Sequence, residues 1–92
     1  SPNLIVEANS ASYYVCDTST AAVFIRLPAA SGASAGRFFV IKDIGGTAAT
    51  NNITVQITGT DTVDGASTYV VASNFGSATF ISRGNSVAYD VI

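Results

Sequence analysis

The sequence contains no histidine, no methionine and no tryptophan, and Cys16 is its single cysteine. Histidine is the commonest general base in enzymes, so its absence removes the serine–histidine–aspartate arrangement of hydrolases. One cysteine cannot form a disulfide within the chain, and without histidine it cannot build a zinc site, which needs four ligands. We therefore expect Cys16 to be a small buried side chain in a strand.

Charged side chains are also scarce. They make up 11% of the chain, against about 25% in an average globular domain. The basic residues Arg26, Arg37, Lys42 and Arg83 are scattered, so they form no positive footprint for phosphates. No apolar run approaches the length of a membrane-spanning helix. Neither nucleic acid nor a membrane is therefore an expected partner.

Hydrophobic residues are abundant for a chain of this size. They account for 48% of 92 residues, and a domain this small buries only a modest share of its unfolded surface. Too few charged groups remain to cover such a particle in the usual way. We predict that part of the apolar surface is buried against identical or neighbouring chains.

Short apolar segments separated by turn residues dominate the pattern. Residues 53–58 alternate strictly between apolar and polar, as in a strand buried on one face, whereas residues 37–42 carry large apolar side chains on both faces. Further strand-like segments recur about every 8–12 residues, at 13–16, 22–27, 69–71, 77–82 and 87–92. This predicts an all-β fold: a small antiparallel, jelly-roll-like β-sandwich of about seven or eight short strands, intertwined or packed as a trimer.

The domain organisation follows from the same pattern. We assign residues 13–92 to a single β-sandwich domain and residues 1–12 to a linker or to a strand that enters from a preceding module. Residues 29–35 are small, which favours a flexible loop, with a short helix as the alternative. Residues 61–65 combine aspartate and glycine, which are typical of a turn.

Two acidic residues, Asp61 and Asp64, are the best candidates for chemistry. Held about 5–10 Å apart, they could act as the paired carboxylates of a glycosidase; with Asn51 or Asn52 they could bind Ca²⁺. The spacing does not match an EF-hand loop, and aspartate and glycine are expected in a turn in any case. We therefore predict no catalytic, cofactor-binding or metal-binding residue.

Several motifs in their order along the chain resemble a module of tailed-bacteriophage fibre and spike proteins, of the tail-fibre or head-fibre type. The most specific part is the spacing from Ile41-Lys42-Asp43 to Asp64-Gly65. The other shared positions are a Leu27-Pro28-Ala29-Ala30 turn before a small-residue loop, Gly46, Ala48, Asn51 to Val55, Gly59, Tyr69, Phe80 and Gly84. Family members often carry a tryptophan in the last strand, where this chain has Val87-Ala88-Tyr89.

The resemblance implies a non-enzymatic, trimeric virion module, made in the host cytoplasm and stacked along a fibre axis as a stem or as a receptor-facing tip. Its partners would be its own copies, other fibre or tail modules and a bacterial surface glycan. For the trimer, we predict that Phe38 and Val40 face a partner chain while Phe39 and Ile41 pack inside, or the reverse.

Receptor contacts, where they occur, are expected on loops of the rigid scaffold. The candidate residues are Asn51, Asn52, Asp61, Asp64 and Tyr69. The alternative function is a carbohydrate-binding or lectin-like module, which needs exposed aromatic side chains from the set Tyr13, Tyr14, Tyr69, Phe75 and Tyr89. A fragment of a polysaccharide-degrading enzyme ranks last, because in the resembled family that activity resides in a larger β-helical domain.

Overall fold

Two β-sheets make up the fold in a computed structural model, which describes residues 4–5, 12–32, 35–59, 61–84 and 88–92. Within these ranges the strands are β1 (Leu4–Ile5), β2 (Tyr13–Cys16), β3 (Val23–Leu27), β4 (Phe38–Asp43), β5 (Ile53–Ile57), β6 (Thr62–Val63), β7 (Thr68–Val71), β8 (Ser77–Ser82) and β9 (Ala88–Val91). One turn of 3₁₀ helix covers Ala30–Gly32. The predicted all-β fold is confirmed.

The strand directions correct one part of that prediction. One sheet has the order β1-β3-β5-β7 and the other the order β2-β4-β8-β9-β6. The pairs β1–β3, β2–β4, β3–β5 and β6–β9 are parallel, and the pairs β4–β8, β5–β7 and β8–β9 are antiparallel. The sandwich is therefore mixed and not antiparallel. The sequence pattern did not reveal the strand directions, because side chains alternate with the same period in parallel and antiparallel ladders.

The core lies where the inward faces of the two sheets meet. Along β5, Ile53, Val55 and Ile57 are buried and the two residues between them are half-buried, as strict alternation predicts. The opposite sheet contributes the large rings of Phe39 and Tyr89, whose centroids lie 6.3 Å apart. Full burial of each such side chain contributes about 1.5–3 kcal/mol before the entropy cost of ordering. Cys16, expected to be buried, is 5% exposed.

Two local features differ from the sequence prediction. Residues 62–63 form β6, which pairs with β9 and buries Val63, so the predicted turn is confined to Asp64 and Gly65, whose φ angles are 48° and 83°. The loop predicted over residues 29–35 contains the 3₁₀ turn, which favours the short-helix alternative there; residues 33–34 lie outside the described residues.

The amino-terminal segment contributes one short strand. Leu4 pairs with Ile25 and Ile5 with Arg26, so β1 extends the four-stranded sheet in parallel with β3. The boundary between a segment 1–12 and a domain 13–92 stays a prediction. No helix in the described part of the chain is long and apolar enough to cross a membrane.

Candidate functional site

The outer face of the five-stranded sheet carries apolar side chains across four neighbouring strands. Tyr13 on β2 lies opposite Val40 on β4, which lies opposite Thr79 on β8. Ile92 follows β9 and exchanges backbone hydrogen bonds with Thr79, at 2.9 and 3.3 Å. Because directly paired residues project from the same side of a sheet, these side chains form one cross-strand row.

A second and a third row border the first. Val15 pairs with Lys42 on one side of it, and Phe38 pairs with Ile81 on the other. We call the set Tyr13, Val15, Phe38, Val40, Ile81 and Ile92 the apolar face. Its exposed fractions are 57% for Tyr13, 49% for Val15, 47% for Phe38 and 79% for Ile92, with Val40 and Ile81 half-buried.

Charges lie at the margins of the apolar face and are partly neutralised there. Asp90 is paired across the sheet with Ile81 and accepts a salt bridge from Arg83, with Nη2 and Oδ1 2.7 Å apart. At the other margin, Lys42 donates to the Phe75 carbonyl and lies 5.8 Å from the centroid of the Phe75 ring. The middle of the face is therefore apolar except for the half-buried Thr79, and its edges are polar.

The sequence prediction for β4 specified which residues face inward. Phe39 and Ile41 are completely buried, whereas Phe38 is 47% exposed and Val40 is half-buried. This arrangement agrees with the first of the two predicted orientations. That Phe38 and Val40 contact a partner chain stays a prediction.

Asp43 organises one end of the sandwich, and sequence reasoning missed this role. Its carboxylate is completely buried at the end of β4. It accepts five hydrogen bonds of 2.7–3.1 Å, from the Thr18 hydroxyl and from the backbone amides of Gly45, Gly46, Ala48 and Phe75. These donors come from three separate segments of the chain, so a single side chain holds three turns together.

The protonation state of Asp43 follows from two opposing effects. Burial raises the pKa of Asp43, but hydrogen bonds from Thr18 and from backbone amides outweigh it and lower the pKa to about 2. Hydrogen bonds to the charged form favour that form. Asp43 is thus a carboxylate at neutral pH, far from the range in which a general acid or base works well. We interpret it as structural.

Asn51 and Asn52 lie beside this cluster and hold the same loop. The Asn51 amide donates to the Thr18 carbonyl at 2.7 Å, and the Asn52 amide donates to the Ala48 carbonyl at 2.7 Å. Both side chains are half-buried. The structure therefore brings these two receptor candidates together, with their amide groups engaged in fixing the loop.

The other receptor candidates occupy different environments. Asp61 is 9% exposed and accepts a hydrogen bond from the Ala30 amide at 2.8 Å. Asp64 lies in a turn and is exposed. Tyr69 is half-buried, and its ring packs edge-on against that of Phe80, with the ring centroids 5.6 Å apart. The side chains of Asp61 and Asn51 therefore form hydrogen bonds with the backbone of two different segments, at Ala30 and at Thr18. A role of any of these residues in binding a receptor stays a prediction.

The aromatic side chains considered for sugar stacking divide into buried and exposed ones. Tyr89 is in the core, where its hydroxyl donates to the Pro28 carbonyl at 2.8 Å. Tyr13 and Phe75 are 57% and 60% exposed. Phe75 has a φ of 58°, and its ring lies over Gly46, where a Cβ would stand 2.4 Å from the ring. Phe75 is thus held in an exposed position by a glycine that leaves room for it.

No group of three or more histidine, cysteine, aspartate and glutamate side chains in the described ranges could hold a metal ion. The Cys16 thiol has a pKa raised to about 11, chiefly by burial and also by the nearby Asp43 carboxylate. It is therefore a poor nucleophile at neutral pH, because the thiolate is the reactive form.

Comparisons with family models and with curated proteins do not assign this chain to a family. No protein-family model matches the chain, and a search of curated proteins finds no significant match.

Proposed function

We propose that this protein is a non-enzymatic structural module of a bacteriophage fibre or spike. It self-associates through the apolar face as a homotrimer in the virion, and it contributes to attachment to a bacterial surface glycan. The single observation that carries the proposal is the apolar face itself. The resemblance in the sequence supplies the phage context, and the scarcity of charge supports burial of this face against another copy.

The size of the apolar face supports an interaction role. Strands lie about 4.8 Å apart and rise about 3.3 Å per residue. Three interstrand spacings by the six residues of β4 therefore give a projected area of about 300 Å². The largest exposed apolar patch on a typical monomer covers about 300–600 Å² and often has a function. A second copy would remove Tyr13, Phe38 and Ile92 from water, and the nearest charges, Lys42 and Asp90, lie at the edges of the face.

The association is tested by a matched pair of substitutions. Val15 and Val70 are 49% and 45% exposed, and they lie on the outer faces of the two different sheets. We expect the unmodified protein to have three times the 9.4 kDa mass of one chain in size-exclusion chromatography with light scattering. Val15→Asp should give the mass of one chain, because the interface would have to remove a carboxylate from water, and an ion pair with Lys42 opposite it offsets that desolvation cost only in part. Val70→Asp should keep the mass of the unmodified protein.

Two results contradict the proposal. One is an unmodified protein that is monomeric at micromolar concentration. The other is dissociation by Val70→Asp combined with no effect of Val15→Asp, which would place the interface on the four-stranded sheet. Circular dichroism of both variants checks that each one remains folded.

A carbohydrate-binding module is the second candidate, and the exposure of Phe75 and Tyr13 favours it. Tyr13 belongs to the apolar face. The first proposal therefore buries its ring against another copy of the chain, whereas the second stacks the same ring on a sugar. A monomer that binds glycans through Phe75 supports the second candidate. An associated form in which Tyr13 is protected from solvent supports the first.

A further inference from the structure

A polar groove lies on the outer side of the four-stranded sheet, on the sheet that does not carry the apolar face. Its volume is about 370 Å³, and its lining residues are Arg26, Gln56, Ile57, Gly59, Ser67 and Thr68. Arg26 on β3 pairs with Gln56 on β5, which pairs with Thr68 on β7. Three polar side chains of adjacent strands therefore form one row along the groove.

The guanidinium of Arg26 differs from the other cations of the chain. Arg83 is paired with Asp90, Arg37 donates to Ser12, and Lys42 donates to the Phe75 carbonyl. Within the ranges that the structure describes, no hydrogen bond or ion pair engages the side chain of Arg26, and no acidic residue lines its groove. A half-buried guanidinium that has no acidic partner among the described residues is a ready partner for an anion.

The donor set favours a carboxylate in a hydroxyl-rich molecule. Arginine matches a carboxylate with two parallel hydrogen bonds. The Gln56 amide and the hydroxyls of Ser67 and Thr68 both donate and accept, which suits sugar hydroxyls. A phosphate dianion would draw on more than one positive charge, and Arg26 is the one basic side chain among the described residues of the lining. The volume is at the lower end of small-molecule sites, about 300–1,000 Å³, and suits one ring.

An apolar row borders the polar one on the same side of the sheet. Phe24 pairs with Thr54, which pairs with Val70. These residues precede or follow Arg26, Gln56 and Thr68 by two positions, so their side chains project from the same face. Val70 is 45% exposed. The outer face of this sheet therefore places the cation and the neutral polar groups of the groove next to an apolar row that lies beside the groove lining.

We propose that this groove binds an acidic sugar unit of the uronic acid class, with its carboxylate on Arg26, its hydroxyls on Gln56 and Thr68, and its C–H face toward Phe24 and Val70. The inference rests on the attachment role within the proposed function. The groove lies on the four-stranded sheet, whereas the apolar face lies on the five-stranded sheet. A sugar titration can therefore contradict the inference without contradicting self-association, and a mass measurement can do the reverse.

The test is a titration of the ¹⁵N-labelled full chain followed by NMR. D-Glucuronate should shift the amide resonances of residues 26, 56, 67 and 68 with a Kd in the millimolar range, as expected for about one sugar unit. D-Glucose, which lacks the carboxylate, and acetate, which lacks the ring, should each bind at least about tenfold more weakly.

Variants separate recognition from net charge. Arg26→Gln should weaken glucuronate binding at least about tenfold, and Arg26→Lys should give an intermediate loss, because lysine keeps the charge but not the paired donors. Arg83→Gln removes the same charge from the other sheet and should leave binding unchanged. Unfolding midpoints of all three variants confirm that the fold is retained.

Several outcomes overturn the inference. They are equal affinity for glucose and glucuronate, equal affinity for acetate and glucuronate, undiminished binding by Arg26→Gln, or no shift in the groove at about 50 mM glucuronate. Shifts confined to residues around Phe75 or Tyr13 also overturn it, and they assign sugar binding to those rings. None of these results bears on the mass of the associated form.

Discussion

At the scale of single residues, Asp43 shows how a buried charge is tolerated. A buried carboxylate is costly unless its oxygens are satisfied. Here both oxygens are: Oδ1 accepts from the Thr18 hydroxyl and two amides, and Oδ2 accepts from the Ala48 and Phe75 amides. The sequence marks Asp43 as one aspartate among six acidic residues. Its partners lie up to 32 positions away, so no local pattern indicates them.

We predict that Asp43→Asn is strongly destabilising and removes part of the acid sensitivity. The amide would place a donor against backbone N–H donors, and we expect Tm to fall by about 5–10 °C. The pKa of Asp43 is about 2, below its ordinary value of 3.8. Its contribution to stability is therefore present above pH 3.8 and lost as the pH falls toward 2. Urea unfolding from pH 5 to pH 2 should show a shallower decline in the variant.

The control is Asp17→Asn, because Asp17 is exposed and its side chain accepts from the Ser19 amide at 2.9 Å. This change should shift Tm by far less than Asp43→Asn. Equal Tm shifts in the two variants would contradict the role of Asp43 as the residue that joins three turns.

At the scale of elements, the turns that follow two parallel strands pack closely against each other. β2 and β4 are parallel neighbours, so the residues that follow them meet at the same end of the sheet. There Gly45 approaches the turn after β2: a Cβ on Gly45 would lie 2.5 Å from the Thr18 backbone nitrogen and 2.8 Å from that of Ser19. The sequence identifies a break at Gly45-Gly46 but not the segment that requires it.

We predict that Gly45→Ala destabilises the protein by about 1–3 kcal/mol, because the atoms that the methyl group meets are mainly backbone and cannot rotate away. Equilibrium urea unfolding measures the change. The matched control is Gly32→Ala, where a Cβ would have no atom within 4 Å; it should alter stability by less than about 0.5 kcal/mol. A Gly45→Ala variant as stable as Gly32→Ala would show that the close approach is absent in solution.

At the scale of the whole molecule, the segment after β3 ties the two sheets together. β3 belongs to the four-stranded sheet. The Pro28 carbonyl accepts from the Tyr89 hydroxyl at 2.8 Å, and the Ala30 carbonyl accepts from the Ser82 hydroxyl at 3.0 Å. The Ala30 amide donates to Asp61 at 2.8 Å. The backbone hydrogen-bonding groups of this short turn are thus satisfied by side chains from elsewhere. Tyr89 and Ser82 come from the opposite sheet, and Asp61 comes from the segment before β6.

We predict that Tyr89→Phe lowers the free energy of unfolding by about 1 kcal/mol, since the ring stays in the core but the Pro28 carbonyl loses its partner. Burial and the Asp61 carboxylate raise the pKa of Tyr89 to about 12, although Arg37 opposes them. The hydroxyl therefore remains a donor up to alkaline pH. Urea unfolding at pH 7 checks the value.

Tyr13→Phe removes the same hydroxyl from a side chain that is 57% exposed, and it should change stability by less than about 0.5 kcal/mol. An equal loss of stability in both variants would argue against the Tyr89–Pro28 contact as a tie between the sheets.

The sequence by itself determined the fold class and the inward face of β5. Alternation along residues 53–57 indicates which side chains are buried, because the period of a strand is 2 whatever its neighbours are. Along Phe38-Phe39-Val40-Ile41 both faces are apolar, so only the tertiary structure decided that Phe39 and Ile41 are the buried pair. Because the period of a strand is the same in parallel and antiparallel ladders, the sequence does not indicate strand direction. The four parallel pairs could therefore be identified only from the tertiary structure. The two-residue strand β6 was also beyond the sequence, since its pairing with β9 spans more than twenty positions.

The candidate sites divide in the same way. The sequence indicated that β4 has two apolar faces that both need a cover, and the structure decided that Phe38 and Val40 form the outer one. The groove at Arg26 was not, because Gln56 and Thr68 become its neighbours only through the register of β3, β5 and β7. Local pattern determines which side of a strand a residue occupies, whereas long-range pairing decides which residues stand next to it.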